Sequence, residues 1–504
     1  MKRNHFIFTA LFLLSLMSSC SKDNDENNGG GGKETPDERV TTDEIYYANQ
    51  FADDILSDVY LWKREISAGI KLLDPDTNED PIKTVNDIRY KENGKEVDRW
   101  TMLTNDYEGL TSGMQGVATT YGYDLMLGKF SNTGTYFFIV SYVYENSPAA
   151  KAGMKRGDII ISLNGQDITE ANYLDALYSS SITLGMGVQT DKGIAKGENM
   201  SLTSIRMYEN PILATKIFDC AGKKVGYLAY SGFDIESVFK LKEICGEFKE
   251  AGVTELILDL RYNGGGYVFT ELALASMLAP QANVDNKDIY ETEIWNDDYM
   301  AYFKSQGEDL NTYFGTAFAI RDTGGNLISI DTKGYNIGLK KIYALISSGT
   351  ASASESILIG LMPYMDIELI GTNSHGKYCT GMTLAPKDVY VDKNGKDVSP
   401  KEIKNWGIYV MINRYADKNG ENPCMPDGLT PPLGNEIQDD PMDGYQLGDE
   451  QETMLREALL RAGKTDIPPT TRSISGLRYD TKFIPTSPLF GKRIDNSILE
   501  KIRK

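Results

Sequence analysis

Apolar residues recur at helical spacing early in the chain, at Ile45, Ala48, Phe51, Ile55, Val59 and Trp62. A period of about 3.6 predicts an amphipathic helix, and Thr41 followed by Glu44 offers a capping box for its start. A helical region running to about residue 110, including Arg99-Trp100, is expected from this beginning. Between 111 and 210 the pattern changes to short β-rich runs such as Tyr136 to Val143. There a short helix should end at Gly153, and Gly157-Asp158 should lead into a strand from Ile159 to Leu163. Asn164-Gly165 then reads as a hairpin turn.

From 211 onward the pattern becomes α/β. A strand is predicted over Val225 to Tyr230, a helix over Ser237 to Ala251, and a strand buried on both faces over Glu255 to Leu260. That strand breaks at Arg261-Tyr262-Asn263-Gly264-Gly265-Gly266 and re-enters as a helix from Val268 to Leu278, stopped by Pro280. A second unit runs strand Lys341 to Ile346, helix Ala353 to Leu361, strand Asp366 to Ile370. Such βαβ units imply parallel pairing with right-handed crossovers. Residues 281 to 335 read as an insertion, and Asp449 to Ala462 as a capped helix closed by Gly463. Residues 464–504, with nine basic and four acidic residues and several prolines, read as an extended arm. It could bind the acidic body, a partner or neither.

Two positions carry candidate chemistry. Ser352 lies in Thr350-Ala351-Ser352-Ala353-Ser354-Glu355, a small-residue turn feeding an apolar helix, and Lys377 ends Asn373-Ser374-His375-Gly376-Lys377 after the next strand. A neutral lysine beside a serine can take the hydroxyl proton and make a nucleophile. The same stretch is a capping box, with Ser352 at the N-cap and Glu355 reaching back. The two readings are compatible, because a helix start also presents amides to a developing oxyanion. The chain has two histidines, His5 and His375. A Ser-His-Asp enzyme would have to use His375, and its surroundings do not resemble a nucleophile elbow. The triple-glycine turn implies close backbone approach. No Gly-Lys-Ser/Thr follows, which excludes a phosphate loop.

Composition narrows the partners. With 41% hydrophobic and 25% charged residues the chain is globular, and a net charge of −20 disfavours nucleic acid and bare anionic membrane. Residues 1–19 read as an export signal, with Lys2 and Arg3, an apolar run from Phe6 to Met17, then Ser18-Ser19 before Cys20. This resembles a bacterial lipobox, which implies a lipidated Cys20 anchoring the chain to the bacterial envelope, with the outer membrane expected, on its periplasmic or its cell-surface face. Residues 20–40 form a flexible acidic, glycine-rich tether. Cys220, Cys245, Cys379 and Cys424 are scattered and reveal no disulfide pairing, and with one histidine after the signal a zinc site is not expected. Asp74, Asp76, Asn78 and Asp80 alternate like a calcium loop. Glu79 replaces the required glycine and Val85 the bidentate glutamate, so the stretch reads as a solvated loop.

The run Ser147-Pro-Ala-x-x-Ala-Gly-x-x-x-Gly-Asp158 resembles a PDZ domain. That implies capture of an extended peptide carboxyl terminus, with Tyr121, Gly122 and Tyr123 at the carboxylate loop. Added to this are Asp259-Leu-Arg-Tyr-Asn-Gly-Gly-Gly266, the Ser-Ala-Ser-Glu segment at 352–355, and Gly376-Lys377, with Lys377 25 positions after Ser352. In that order, and over about residues 40 to 450, they resemble the carboxyl-terminal processing (tail-specific) proteases. The resemblance implies a multidomain α/β fold: a helical region at 41–110, a β-rich PDZ-like domain at 111–210 and an α/β serine protease core at 211–463. It implies Ser352 as nucleophile, Lys377 as general base, and the amides of Ala353 and of Gly264 or Gly265 as oxyanion donors. Some members place a glutamine four residues after the lysine, where this chain has Gly381. In others the acidic residue of the Ser-Ala-Ser-Glu segment belongs to the site, which makes Glu355 the third candidate.

The implied function is an endopeptidase acting on exported proteins and sensing free apolar carboxyl termini, with no metal or cofactor. A lysine base working near neutrality must lose about 3 units from its free pKa, or about 4 kcal/mol. The rival reading, which Gly381 favours, is a catalytically degenerate surface lipoprotein that binds peptides or partner proteins.

Overall fold

The computed structural model describes residues 39–131, 133–190, 193–322, 325–468, 479–484, 490 and 492–495. The export signal and Cys20 lie outside the described residues. No helix among the described residues is long and apolar enough to cross a membrane.

A five-stranded sheet organises the α/β core, in the order Ile212–Cys220, Lys223–Tyr230, Val253–Asp259, Lys341–Ile346, Asp366–Gly371. The last four strands run parallel and the first is antiparallel. Alternation along each strand sends side chains to opposite faces. Leu256, Leu258, Ile342, Ala344 and Ile346 join one core, which the helices Ser237–Glu250, Val268–Leu278 and Ala353–Leu361 cover. Ile257, Tyr343 and Leu345 join a second core, beneath the helix Thr453–Arg461. Helices on both faces explain why these strands are almost wholly apolar.

A seven-stranded second sheet packs beside the first. It runs from Gly265–Tyr267 through Lys492–Ile494, Cys379–Leu384, Gly407–Ala416 and Ile289–Trp295 to Asn311–Tyr313, and Met102–Thr104 also pairs with Gly407–Ala416. Two expectations change here. The stretch 281–335 is not a simple insertion, because Ile289–Trp295 pairs with Gly407–Ala416 inside this sheet. The amino-terminal helical region shares the apolar core of the α/β sheets rather than standing apart. Phe51, Ile55 and Trp62 are buried with Ile408 and Val410. Helix starts also shift. Thr42, not Thr41, caps Asp43–Asp58, and Glu452 caps Thr453–Arg461 by accepting from the Leu455 amide.

The PDZ domain is an antiparallel sheet in the order Gly193–Thr203, Ser181–Thr190, Ile159–Leu163, Tyr136–Val143, Tyr123–Phe130. Ser147 caps the short helix Pro148–Lys151, and Asn164 and Gly165 both take positive φ in the hairpin turn. The basic arm contributes strands of its own. Tyr479–Phe483 pairs with Tyr123–Phe130 of the PDZ domain, and Lys492–Ile494 enters the second sheet.

Where the PDZ domain meets the core, Arg156 and Arg261 lie fully buried among Asp259, Asp439, Glu452 and the Tyr262 hydroxyl. The two arginines share Asp439 and Glu452. These carboxyls are held below the usual range by the arginines despite the burial that pushes them up. Removing one cation leaves three buried carboxylates on the other. Arg261→Met is therefore expected to cost about 3–5 kcal/mol, read as a lower urea midpoint for the core transition. A loss below about 1 kcal/mol would show the cluster to be solvated and marginal.

Candidate active site

Three loops leave the carboxyl ends of neighbouring parallel strands, where ligands commonly bind in open α/β sheets. Val253–Asp259 leads into Arg261 to Gly266, Lys341–Ile346 into Ser347 to Ser352, and Asp366–Gly371 into Thr372 to Lys377. The sheet therefore delivers Gly264, Ser352 and Lys377 to one edge.

Ser352 starts the helix Ala353–Leu361 with φ 66° and ψ −115°. Such a backbone costs a non-glycine residue about 1–3 kcal/mol and persists only when its surroundings over-determine it. They do so here. Thr350 Oγ1 donates to Leu260 O at 2.8 Å, Ser347 Oγ to Arg261 O at 2.5 Å, and Ser354 Oγ to Asn263 O at 2.8 Å. The Ala351 amide also donates to Asn263 O at 3.0 Å. The serine turn is thus stitched to the glycine turn. Periodicity in the sequence did not reveal this strained strand-turn-helix. Only the run of small residues around Ser352 hinted at it.

Glu355 ties the serine turn to the lysine loop. Its fully buried carboxylate accepts from the amides of Ser352 (2.7 Å), Gly376 (2.7 Å) and Lys377 (2.9 Å), and from Ser374 Oγ at 2.5 Å. Burial pushes its pKa up while these four donors pull it down. One oxygen, Oε2, holds both the Ser352 and the Lys377 amides. Across the site, the Tyr415 hydroxyl lies 2.7 Å from Lys377 O and 3.3 Å from Ser352 O. The Glu355 carboxylate thus holds the backbone of both loops through amides and a hydroxyl. Half of the expected capping box exists. The Glu355 carboxylate caps Ser352, whereas Ser352 Oγ is buried with no hydrogen-bond partner among the described residues.

Lys377 is fully buried. Its Nζ donates to the Tyr409 hydroxyl at 2.9 Å and lies 5.2 Å above the Trp100 ring. Burial lowers its pKa to about 7, and the positive Lys492 and Arg493 add to the shift. The lysine amine is thereby poised to exchange a proton near neutral pH. The bond from Nζ to Ser352 Oγ is not made in this conformation.

Tyr409 also accounts for Gly381. A Cβ at 381 would lie 2.4 Å from Tyr409 Cζ and 2.5 Å from Met411 Cε. The Tyr409 ring fills the space a longer residue would need, and its hydroxyl contacts the lysine. No local signal links residues so far apart, and the sequence reading missed both Tyr409 and Tyr415.

Of the expected oxyanion donors, the Gly265 amide is spent on Asn263 Oδ1 at 3.0 Å. The amides of Gly264 and Ala353 remain at the turn and at the helix start. His375 is largely buried between Trp100 and Phe490, and burial with Arg99 and Lys377 lowers its pKa to about 4. It is a flanking neutral ring. Tyr121 and Tyr123 pack inside the PDZ core, their hydroxyls bonded to the Ser179 and Ala176 carbonyls. Gly122 lies between them at φ 82°, at the head of Tyr123–Phe130. Cys220, Cys245, Cys379 and Cys424 are free and buried. No group of metal-ligating side chains occurs among the described residues.

Two substitutions test these energetics in opposite directions. A shift from 10.5 to about 7 means that Lys377 costs the fold about 5 kcal/mol below pH 7, where its buried amine must carry the proton. That cost fades as pH rises toward 10.5, because only the unfolded chain then still binds the proton. Lys377→Met is expected to stabilise the fold by about 2–4 kcal/mol at neutral pH. Glu355→Gln, which turns an amide toward obligate donors, is expected to cost about 2–3 kcal/mol. Urea unfolding at several pH values reads both, and a Lys377→Met variant less stable than the parent would contradict the buried-amine account.

A model of peptidase family S41 matches residues 224–433, and a PDZ domain model matches residues 139–184. Carboxy-terminal processing protease CtpB of Bacillus subtilis is 22% identical over 316 residues, covering 59% of this chain and 59% of that protein. Carboxy-terminal processing protease CtpA of the same organism is 24% identical over 233 residues, covering 46% and 43%. The chain thus spans less than two thirds of the length of these relatives. A crystal structure of an S41-protease candidate from Bacteroides fragilis NCTC 9343 superposes with a TM-score of 0.62 at 23% identity, covering 82% of this chain and 98% of that one. Its likeness bears on the fold. Together with the order of sheets and loops described above, these matches show a peptidase family S41 unit over residues 224–433 and a PDZ domain over residues 139–184, in a chain similar to the carboxy-terminal processing proteases.

Proposed function

We propose that this protein is a serine endopeptidase with a Ser352–Lys377 dyad, which cleaves exported proteins and is anchored to the bacterial envelope through a lipidated Cys20. The observation that carries the reading is the shared clamp: one Glu355 oxygen holds the amides of a strained serine and of a buried lysine whose pKa lies at about 7.

In this mechanism neutral Lys377 takes the Ser352 hydroxyl proton as Oγ attacks a peptide carbonyl carbon. The amides of Gly264 and Ala353, at the start of an apolar helix, meet the developing oxyanion. Collapse breaks the C–N bond, and Lys377 returns the proton to the leaving amine. A water, deprotonated by the same lysine, then hydrolyses the acyl-enzyme and regenerates Ser352. Tyr409 acts as a positioning residue by holding Nζ, and Trp100 walls it from solvent. The PDZ domain would present substrates through the edge of Tyr123–Phe130 and favour apolar carboxyl termini. Gly381 no longer favours the non-enzymatic reading, because Tyr409 occupies the space beside it.

The test is digestion of an unstructured polypeptide ending in small apolar residues, read by mass spectrometry. Ser352→Ala and Lys377→Ala are each expected to lower kcat/KM by at least about 10³-fold. Because Lys377 must be neutral, kcat/KM should rise through an ionisation at about 7 and fall away below it. Tyr409→Phe should lower kcat about tenfold or more with little change in KM. Cleavage that survives Ser352→Ala rules the dyad out. Cys20→Ala should move the protein from the membrane fraction to the soluble fraction.

A further inference from the structure

The carboxyl-terminal arm fills both places where a substrate of this enzyme would lie. Tyr479–Phe483 adds antiparallel to Tyr123–Phe130, with Tyr479 opposite Phe130 and Phe483 opposite Met126. This is the sheet edge that follows the Tyr121-Gly122 loop, where a PDZ domain receives an extended peptide. Ile484, 7% exposed, packs with Tyr121, Tyr123 and Leu125 of the PDZ core.

A few residues on, the arm crosses the nucleophile. Phe490 stands 5.0 Å from the His375 ring, and a Cβ on Gly264 would lie 2.5 Å from Phe490 Cα. Lys492–Ile494 then pairs parallel to Gly265–Tyr267, with Lys492 beside Gly265. A Cβ on Gly265 would lie 2.5 Å from the Lys492 carbonyl oxygen and 2.8 Å from Ser352 Cβ. An arm carbonyl and the serine therefore flank the same point of the glycine turn. The Tyr409 hydroxyl, which holds Lys377 Nζ, also accepts from the Arg493 amide at 3.1 Å and lies 3.0 Å from the Arg493 carbonyl.

Arg493 anchors this register. Its guanidinium, 1% exposed, reaches Glu271 at 2.9 Å, Glu291 at 2.6 Å and Thr380 Oγ1 at 2.5 Å. A surface tail merely resting on the body would not carry a fully buried, multiply bonded arginine.

We propose that the arm is bound as a substrate in cis, and that the protein hydrolyses its own chain at the Lys492–Arg493 peptide bond. The inference rests on the serine endopeptidase reading above. Ser352 Oγ attacks the Lys492 carbonyl carbon and its proton passes to Lys377. The C–N bond breaks, the leaving Arg493 nitrogen takes the proton, and water hydrolyses the resulting ester. The products are a chain ending at Lys492 and a short basic peptide beginning at Arg493. Release of that peptide removes Arg493 from Glu271 and Glu291 and opens the cleft, so self-cleavage precedes access for other polypeptides.

The full chain and its Ser352→Ala and Arg493→Leu variants test this by intact-mass spectrometry over time, at several protein concentrations and beside an added unstructured polypeptide. The parent is expected to lose a carboxyl-terminal peptide beginning at Arg493, with a rate constant independent of concentration, while Ser352→Ala stays whole. Arg493→Leu, with its anchor gone, should process itself at least about tenfold more slowly. A parent that cuts the added polypeptide but keeps Lys504 overturns the self-processing alone. A self-cleavage rate proportional to concentration overturns its intramolecular character. A parent that cuts neither chain overturns the endopeptidase reading, and this inference with it.

Discussion

A single buried carboxylate organises the site. Glu355 sits one turn into an apolar helix, yet it accepts four donors from two different loops. A buried carboxylate is tolerable only when its lone pairs are satisfied, and here the donors that satisfy it are the backbone of the nucleophile turn and of the lysine loop. Any shift of either loop would leave a charge unsatisfied in a dry core. That penalty sustains the strained backbone at Ser352 and fixes the lysine loop beside it. Opposition of charge explains why Glu355 must bind backbone rather than the Lys377 amine. An ion pair would raise the lysine pKa and remove the base that the proposed dyad needs.

The second constraint is the junction between domains. Arg156 comes from the PDZ domain and Arg261 from the strand end that continues into the glycine turn, and both use Asp439 and Glu452. The turn bearing the Gly264 amide is therefore braced by the domain that receives the arm. The arm closes the circuit from the other side, since its strands enter the PDZ sheet and the sheet beside Ser352. Catalytic loops, PDZ groove and arm form one contiguous set of contacts.

Much of the core was legible because local and tertiary preferences agree. Val268–Leu278, Lys341–Ile346 and Ala353–Leu361 fall where Pro280, the apolar runs and the Ser-Ala-Ser-Glu cap put them. Amino acid order also singled out Ser352, Lys377 and Glu355, which the fold brings together at one edge of the sheet. What stayed hidden depends on distant partners. Ile289–Trp295 looks like part of an insertion until Gly407–Ala416 pairs with it, and Tyr409 is one apolar-strand tyrosine until Gly381 makes room for its ring. The arm misled for a related reason. Proline and positive charge suggest an extended chain, and the described stretches Tyr479–Phe483 and Lys492–Ile494 are strands, but only Glu271 and Glu291 show where Arg493 docks.

The central claim is that a neutral buried lysine activates Ser352. Labelling with a serine-directed fluorophosphonate, followed by peptide mapping at a series of pH values, tests it most directly. The account predicts a single adduct at Ser352, a rate that climbs through an ionisation at about 7, and loss of labelling in Lys377→Ala. An adduct on another serine, or labelling of Ser352 that is indifferent to Lys377 and to pH across that range, would contradict it.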